Sequence, residues 1–410
     1  MEKKISIGLV YLNETNLGDI VIYDNVKYLL NQILEKLTVT PTFLELDIGN
    51  LTFKKYQLSD DDTKEILKNK EIVAKLQAKK TLSKNDKKKL SLATWHTSNF
   101  YYYLKNIILP KITKDLDVLI FVGGGLIKFK QQNFHYIITD IIKVAQDLKI
   151  PVVFNSVGVE GYDLQDVNCQ MLKHAINSKC VKAISTRDDF DLLKNSYIEN
   201  NKIKLALTCD PALYSKECYN IKKQETSNII GIGVIRPKIF EEYMYKVNEF
   251  GLLEIYKQII DALLAKGLVV KVFTNGSNAD YKFALSLKEY LKEEPKYQDL
   301  FLERFTTVQE LVTFIASCKA TIVTRLHAAI ISYALEVPSV SLVWNNKQIL
   351  FGEIIKRKNS FITKDNFTSD YILKMLSLEL DDPVKMDEDY QRTDYEFLEE
   401  VLKSIIKAQN

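Results

Sequence analysis

Short apolar runs of strand length alternate with helix-period segments along most of the chain, in two successive sets. That alternation marks parallel α/β architecture, because each parallel strand needs a crossover helix to bring the chain back. In the first set, Ile5–Leu12, Thr42–Leu46, Asp117–Val122, Val152–Val157, Val181–Ser185 and Lys204–Thr208 read as strands. Helices are expected at Val21–Leu37, at Ile137–Leu148 and from about Asp188. The second set has strands at Ile229–Ile235, Leu268–Phe273, Ala320–Val323 and Ser339–Val343. Its helices are expected at Leu252–Leu264, Ala279–Leu291, Val308–Ser317 and Leu326–Leu335. Two such sets predict an α/β chain of two Rossmann-like domains facing a cleft, with ligands at the carboxyl ends of strands. A first domain over 1–220 and a second over 228–365 follow, joined by a polar linker at 215–228. An acidic segment, 366–410, should end in a helix (Tyr395–Lys407) that packs back on the core.

Two stretches break the pattern. Residues 61–90 hold ten lysines and five acids. They read as a solvated, partly helical insertion, or as a basic patch for an anionic membrane surface or a phosphate-bearing acceptor. Residues 379–400 hold ten acids and two bases, the pattern of an exposed acidic face.

Composition narrows the function classes. Lys and Arg total 56 against 53 for Asp and Glu, which lacks the basic excess of a nucleic-acid coat. The five cysteines show no C-x-x-C spacing and there are only four histidines, so no zinc site is expected, and free thiols in a cytoplasmic protein are. Met1-Glu2-Lys3-Lys4 and the apolar run behind it lack a cleavage site, so a strand is expected there rather than a signal peptide.

The candidate chemistry sits where strands pass into helices. In Val323-Thr324-Arg325-Leu326-His327, Thr324 is placed to cap, and Arg325 and His327 fall in the first helical turn. A cation there opposes the helix dipole by about 0.3–1 kcal/mol, and a bound anion reverses that sign. A guanidinium fork suits phosphate or carboxylate, and imidazole moves protons near neutral pH. The plainer reading is an arginine paired to an acid beside a packed histidine.

Gly123-Gly124-Gly125 after a buried strand permits close backbone approach, or is a turn. It is neither a P-loop nor a dinucleotide fingerprint. In Asn16-Leu17-Gly18-Asp19, Asp19 either caps the first helix or offers a carboxylate to the cleft. Arg187 either binds an anion or pairs with Asp188 and Asp189. Arg236 and Lys347 follow strands of the second set and could add charge to the Arg325 site, though Lys347 also suits an ordinary surface. With no acid cluster for a metal and no Ser-His-Asp or Cys-His signature, these residues point to metal-independent group transfer on a phosphate-bearing small molecule.

In chain order, Asn16-x-Gly18-Asp19, Gly123-Gly124-Gly125, Ser185-x-Arg187-Asp188, Asp210-Pro211 and Arg325-Leu326-His327, with Pro338 and Lys347 beyond, resemble the polysaccharide pyruvyl transferases over about residues 5–351. Each motif is short, and the ordered set carries the likeness. The lysine-rich insertion and the acidic tail carry none of it. The resemblance implies a GT-B-like fold, phosphoenolpyruvate as donor with no further cofactor, and a sugar hydroxyl pair as acceptor. The product would be a pyruvate ketal on a cell-surface polysaccharide or its lipid-linked precursor, made in the cytoplasm or at the inner face of its membrane. By that likeness Arg325 and His327 belong to the donor site and Arg187 is a second anion ligand. His327 would be general acid or base, with Asp19 a base toward the acceptor. The competing expectations are a nucleotide-sugar glycosyltransferase on the same scaffold and a non-catalytic sugar-binding paralogue.

Overall fold

Strands β1 (Lys3–Tyr11), β2 (Val39–Asp47), β3 (Val118–Val122), β4 (Val152–Val157), β5 (Val181–Thr186) and β6 (Lys204–Leu207) form one parallel sheet in the order β2-β1-β3-β4-β5-β6. Every residue of β3 and β4 is buried, as expected of strands covered on both faces. The Phe121 and Phe154 rings stack across them with centroids 4.4 Å apart. This is the computed structural model of the chain; it describes residues 3–12, 16–48, 57–112, 115–129, 134–222, 227–242 and 247–408. Met1, Glu2 and residues 223–226 of the expected linker lie outside them.

The helices of this region follow the chain. They are α1 (Leu17–Lys36), α2 (Asp60–Gln77), α3 (Lys84–Trp95), α4 (Asn99–Tyr103), α5 (Leu109–Ile112), α6 (Phe134–Asp147), α7 (Val167–Ile176) and the single turn α8 (Phe190–Leu192). Val26, Leu29, Leu30, Ile33 and Leu34 of α1 are all buried, so its 3.6-residue periodicity is a core-facing stripe. The expected helix from Asp188 is shorter: Asp189 caps Phe190–Leu192, and a π-turn at Leu193–Tyr197 follows. The insertion is more ordered than its composition suggests. Ser59 with Asp62, and Ser83 with Asp86, form full capping boxes that start α2 and α3.

The second sheet contains β7 (Ile229–Gly233), β8 (Val269–Phe273), β9 (Ala320–Val323), β10 (Ser339–Leu342) and β11 (Phe361–Ile362), all parallel, in the order β11-β10-β9-β7-β8. Its helices are α9 (Ser215–Cys218), α10 (Lys238–Glu242), α11 (Glu249–Ala265), α12 (Asn278–Leu291), α13 (Val308–Ser317), α14 (Leu326–Ala334), α15 (Asn346–Ile354) and α16 (Ser369–Asp381), and α17 (Glu388–Ala408) follows them in the chain. Much of the polar stretch at 215–228 is structured rather than linker: Asp210 caps a 3₁₀ turn at Pro211–Tyr214, which runs into α9. Both sheets share one doubly wound order, in which the third strand pairs on the far side of the first. The order therefore reverses between β1 and β3, and again between β7 and β9.

The chain divides into two compact units, residues 1–13, 29–209 and 393–410 in one and 14–28 with 210–392 in the other. Contiguous stretches ending at 220 and 365 do not describe this division, because α1 and α17 each contribute to both units. The acidic tail is mostly an exposed face, with Asp381, Asp382, Asp387, Glu388, Asp389, Glu396 and Glu400 exposed, but two of its acids are buried. Asp394 is fully buried, accepts from the Ser156 hydroxyl at 2.6 Å and from Asn155 at 3.3 Å, and so ties α17 to the end of β4. Glu379 is buried against Arg357 at 2.6 Å. These two acids serve as anchors because each buried carboxylate has a donor waiting.

Candidate active site

At the β7/β9 switch point, Thr324 follows the last residue of β9 and does not cap the next helix. Its hydroxyl and N–H both donate to the Gly233 carbonyl, at 3.1 and 3.2 Å. Its carbonyl accepts from Trp344 Nε1 and Gln348 Nε2, each at 3.0 Å. With the threonine side chain spent, Arg325 becomes the N-cap of α14 and makes no side-chain capping bond. Arg325 is thus one residue earlier than expected, and His327 is the second residue of the helix.

Arg325 is paired to an acid, as its plainer sequence reading has it. Nε donates to Asp280 Oδ2 at 2.8 Å and Nη2 lies 2.7 Å from the same oxygen. Asp280, in the first turn of α12, is fully buried, and its other oxygen accepts the Arg236 N–H at 3.1 Å. One carboxylate therefore fixes the Arg236 backbone and the Arg325 guanidinium at the switch point. The fork is engaged along one edge only, and 16% of the Arg325 side chain stays open. The half-buried Arg236 side chain takes no hydrogen-bond or ion-pair partner among the described residues. A half-satisfied guanidinium and an unpaired one thus stand beside an uncapped helix start, donors of a kind that suits an anion.

His327 is mostly buried, with 11% of its side chain exposed, and its Nε2 lies 3.6 Å from Asp210 Oδ2. Asp210 itself is buried, and its Oδ1 accepts the Ala212 N–H at 2.9 Å. Asp-Pro thus supplies a rigid turn that points the second carboxylate oxygen at the imidazole. Gly18 lies on the ring's other nitrogen: a Cβ there would fall 2.4 Å from Nδ1. Only glycine lets the first turn of α1 approach the histidine this closely. Asn16 organises that turn, accepting from Gly18 N–H at 3.3 Å and donating to Asp19 at 3.1 Å. Asp19 is half-buried within the first turn, not at the cap. The same turn is tied to the end of β8, where Leu17 N–H donates to the Asn275 carbonyl at 2.9 Å.

Second-set residues that the sequence did not single out complete this arrangement. Asp280 partners Arg325, and buried Gln348 bonds Thr324, Ser341 and Leu342 through one amide nitrogen. Lys347 is half-buried beside Gln348 in α15, and no contact joins it to Arg325.

The remaining expected residues belong to the first unit. Gly123 and Gly124 have φ of 45° and 69°, the left-handed region that favours glycine. Their backbones bond across to the β4 end, Gly123 N–H to Asn155 O at 2.8 Å and Gly158 N–H to Gly124 O at 2.6 Å. Gly125 is half-exposed next to them. Arg187 is buried at the end of β5. Asp188 Oδ1 accepts from Val159 N–H at 2.9 Å, and Asp189 caps the following turn.

Among the described residues no group of three or more His, Cys, Asp or Glu side chains could hold a metal ion, and no helix is long and apolar enough to cross a membrane. All five cysteines are free.

No curated protein is similar in sequence. Solved structures are similar in fold. UDP-GlcNAc 2-epimerase from Methanocaldococcus jannaschii aligns with a TM-score of 0.57 at 10% identity, covering 97% of this chain and 100% of its own. The Neisseria meningitidis UDP-GlcNAc 2-epimerase bound to UDP-GlcNAc aligns at 0.53 and 11% identity, covering 97% and 100%. At such identities the likeness establishes the two-unit GT-B-like α/β fold alone. The profile of the polysaccharide pyruvyl transferase family matches residues 16–346, which spans both the Asn16–Asp19 turn and the Arg325–His327 helix start. The chain belongs to the polysaccharide pyruvyl transferase family.

Proposed function

We propose that the protein transfers the pyruvyl group of phosphoenolpyruvate to two hydroxyls of a saccharide, forming a ketal and releasing phosphate. The observation that carries this reading is the half-engaged Arg325 fork beside the unpaired Arg236 and a carboxylate-backed imidazole, all at one strand-end switch point. Phosphoenolpyruvate brings a phosphate and a carboxylate, which call for more than one cationic contact. His327 protonates the methylene carbon, which becomes a methyl group, and the adjacent carbon takes oxocarbenium character. A sugar hydroxyl adds to that carbon. The bond to the phosphate oxygen breaks, and a second hydroxyl closes the ring. Of the two hydroxyl protons, one restores the proton that His327 gave up and the other leaves on phosphate. Asp210 holds the imidazole in orientation, and Arg325 and Arg236 balance the departing phosphate. Asp19 is the base offered to the acceptor hydroxyl. The chain's place is the cytoplasm or the inner face of its membrane, where a lipid-linked saccharide precursor would be met.

Phosphate release from phosphoenolpyruvate, measured against a panel of lipid-linked and synthetic saccharides, tests the reading. His327→Ala should lower turnover by about 10²–10⁴-fold while donor binding falls much less. Unchanged turnover would remove His327 from its role. Hydrolysis or transfer from a UDP-sugar, with no phosphate released from phosphoenolpyruvate, would instead support a nucleotide-sugar enzyme.

A further inference from the structure

We propose that the helical pair α2–α3 is a docking surface for an anionic membrane. Ten lysines lie on this segment and all are exposed. Its acids are largely spent. Glu65 pairs with Lys105 at 2.7 Å, Asp61 with Lys64 at 3.1 Å and Asp86 with Lys79 at 3.0 Å, and Asp62 is buried in its capping box. Lys68, Lys70, Lys75, Lys80, Lys84, Lys87, Lys88 and Lys89 have no partner among the described residues, and only Asp60 and Glu71 oppose them unpaired. The outward face is therefore more basic than the sequence count.

Apolar side chains stand among these charges. Leu67 is 56% exposed and Ile72 37% exposed on α2, and Leu92 is 41% exposed on α3. At helical spacing Lys64, Lys68 and Lys75 flank Leu67 and Ile72, and Lys88 and Lys89 flank Leu92. A face that only kept the chain in solution would gain nothing from these leucines. A bilayer surface uses both kinds, headgroup phosphates for the ammonium groups and the acyl boundary for the leucines. The same apolar residues argue against a nucleic acid or free polyanion, which offers charge without an apolar layer.

The pair is a built platform. Trp95 donates to Asp140 of α6 at 3.1 Å, Ser91 bonds Tyr136 and Asn168, and Asn106 donates to Asp62 at 3.4 Å. This docking goes beyond pyruvyl transfer and holds whichever donor the enzyme uses.

Sedimentation of the full chain with vesicles of phosphatidylcholine, alone or mixed equally with phosphatidylglycerol, tests it. Binding is expected only with the anionic vesicles and should weaken as salt rises. Lys84→Glu/Lys88→Glu/Lys89→Glu should lower it about tenfold or more, and Leu67→Ser/Leu92→Ser should lower it with every charge kept. Both variants should keep the wild-type thermal melt and the wild-type rate on a water-soluble acceptor. If charge reversal unfolds the segment, Lys84→Gln/Lys88→Gln/Lys89→Gln serves in its place. Failure of wild type to bind anionic vesicles, or wild-type binding by the lysine variants, overturns the proposal. So does undiminished vesicle binding by the leucine variant together with tight heparin binding, which would make the face a polyanion site.

Discussion

The two switch points share a strand order and differ in chemistry. Between β1 and β3 the chain leaves the sheet through Gly123 and Gly124, whose backbones bond to the β4 end and present no side chain. Between β7 and β9 it leaves through Arg236, Arg325 and His327, held by two buried carboxylates, Asp280 and Asp210. Topology therefore supplies a location twice, and side chains gather cationic donors at one of them. The glycine end can be altered at the cost of local backbone strain. The arginine end rests on buried charge pairs, for which losing one partner is far more expensive.

The sharpest way to break that contrast is Asp280→Ala. It leaves the Arg325 guanidinium uncompensated and frees the Arg236 N–H, and should cost about 3–5 kcal/mol of stability in chemical denaturation.

A second contrast is acid response, and it belongs to the first unit. Burial lowers His135 from 6.5 to about 4, so the folded chain keeps it neutral while the unfolded chain takes up a proton. Its contribution to stability is full above about 6.5 and falls as pH drops toward about 4, by about 3 kcal/mol in all. Asp140, on the same helix, is raised by burial from 3.8 to about 6, so the folded chain holds that proton longer. Its contribution is full below about 3.8 and lost as pH rises through about 6. The two oppose each other over the shared window. Denaturation across that window should show a shallow profile in wild type. Asp140→Asn should fall steeply on acidification, and His135→Leu should lose the acid-driven fall.

Smaller effects sharpen the two loops. Gly18→Ala places a methyl against the His327 ring and should cost about 1–3 kcal/mol, with turnover falling as the imidazole shifts. Gly124→Ala demands a left-handed alanine and should cost about 1–2 kcal/mol by thermal melting, with little effect on phosphoenolpyruvate affinity.

Much of the scaffold was legible in the sequence, because strand and helix periods are local signals. The bounds of β4, β9 and α13 coincide with their apolar runs. α7 and α15 were missed because their apolar residues are few or interrupted by polar ones, and α16 fell within a tail read by its charge. The candidate site was legible in its cations and in Asp210, and not in Asp280. Arg325 and His327 announce themselves by their place after a strand. Asp280 and Gln348 carry no local mark, since only the folded sheet brings them to Arg325 and Thr324. Gly18 read as part of a turn, and its contact with His327 joins segments from opposite ends of the chain.

The most direct measurement is calorimetric titration of phosphoenolpyruvate into wild type and Arg236→Gln, a side chain whose loss breaks no hydrogen bond or ion pair among the described residues. Phosphoenolpyruvate binding at Arg236 predicts saturable binding by wild type and about tenfold or weaker binding by the variant at unchanged stability. Equal affinity in both proteins, or heat from a nucleoside diphosphate and none from phosphoenolpyruvate, would contradict it.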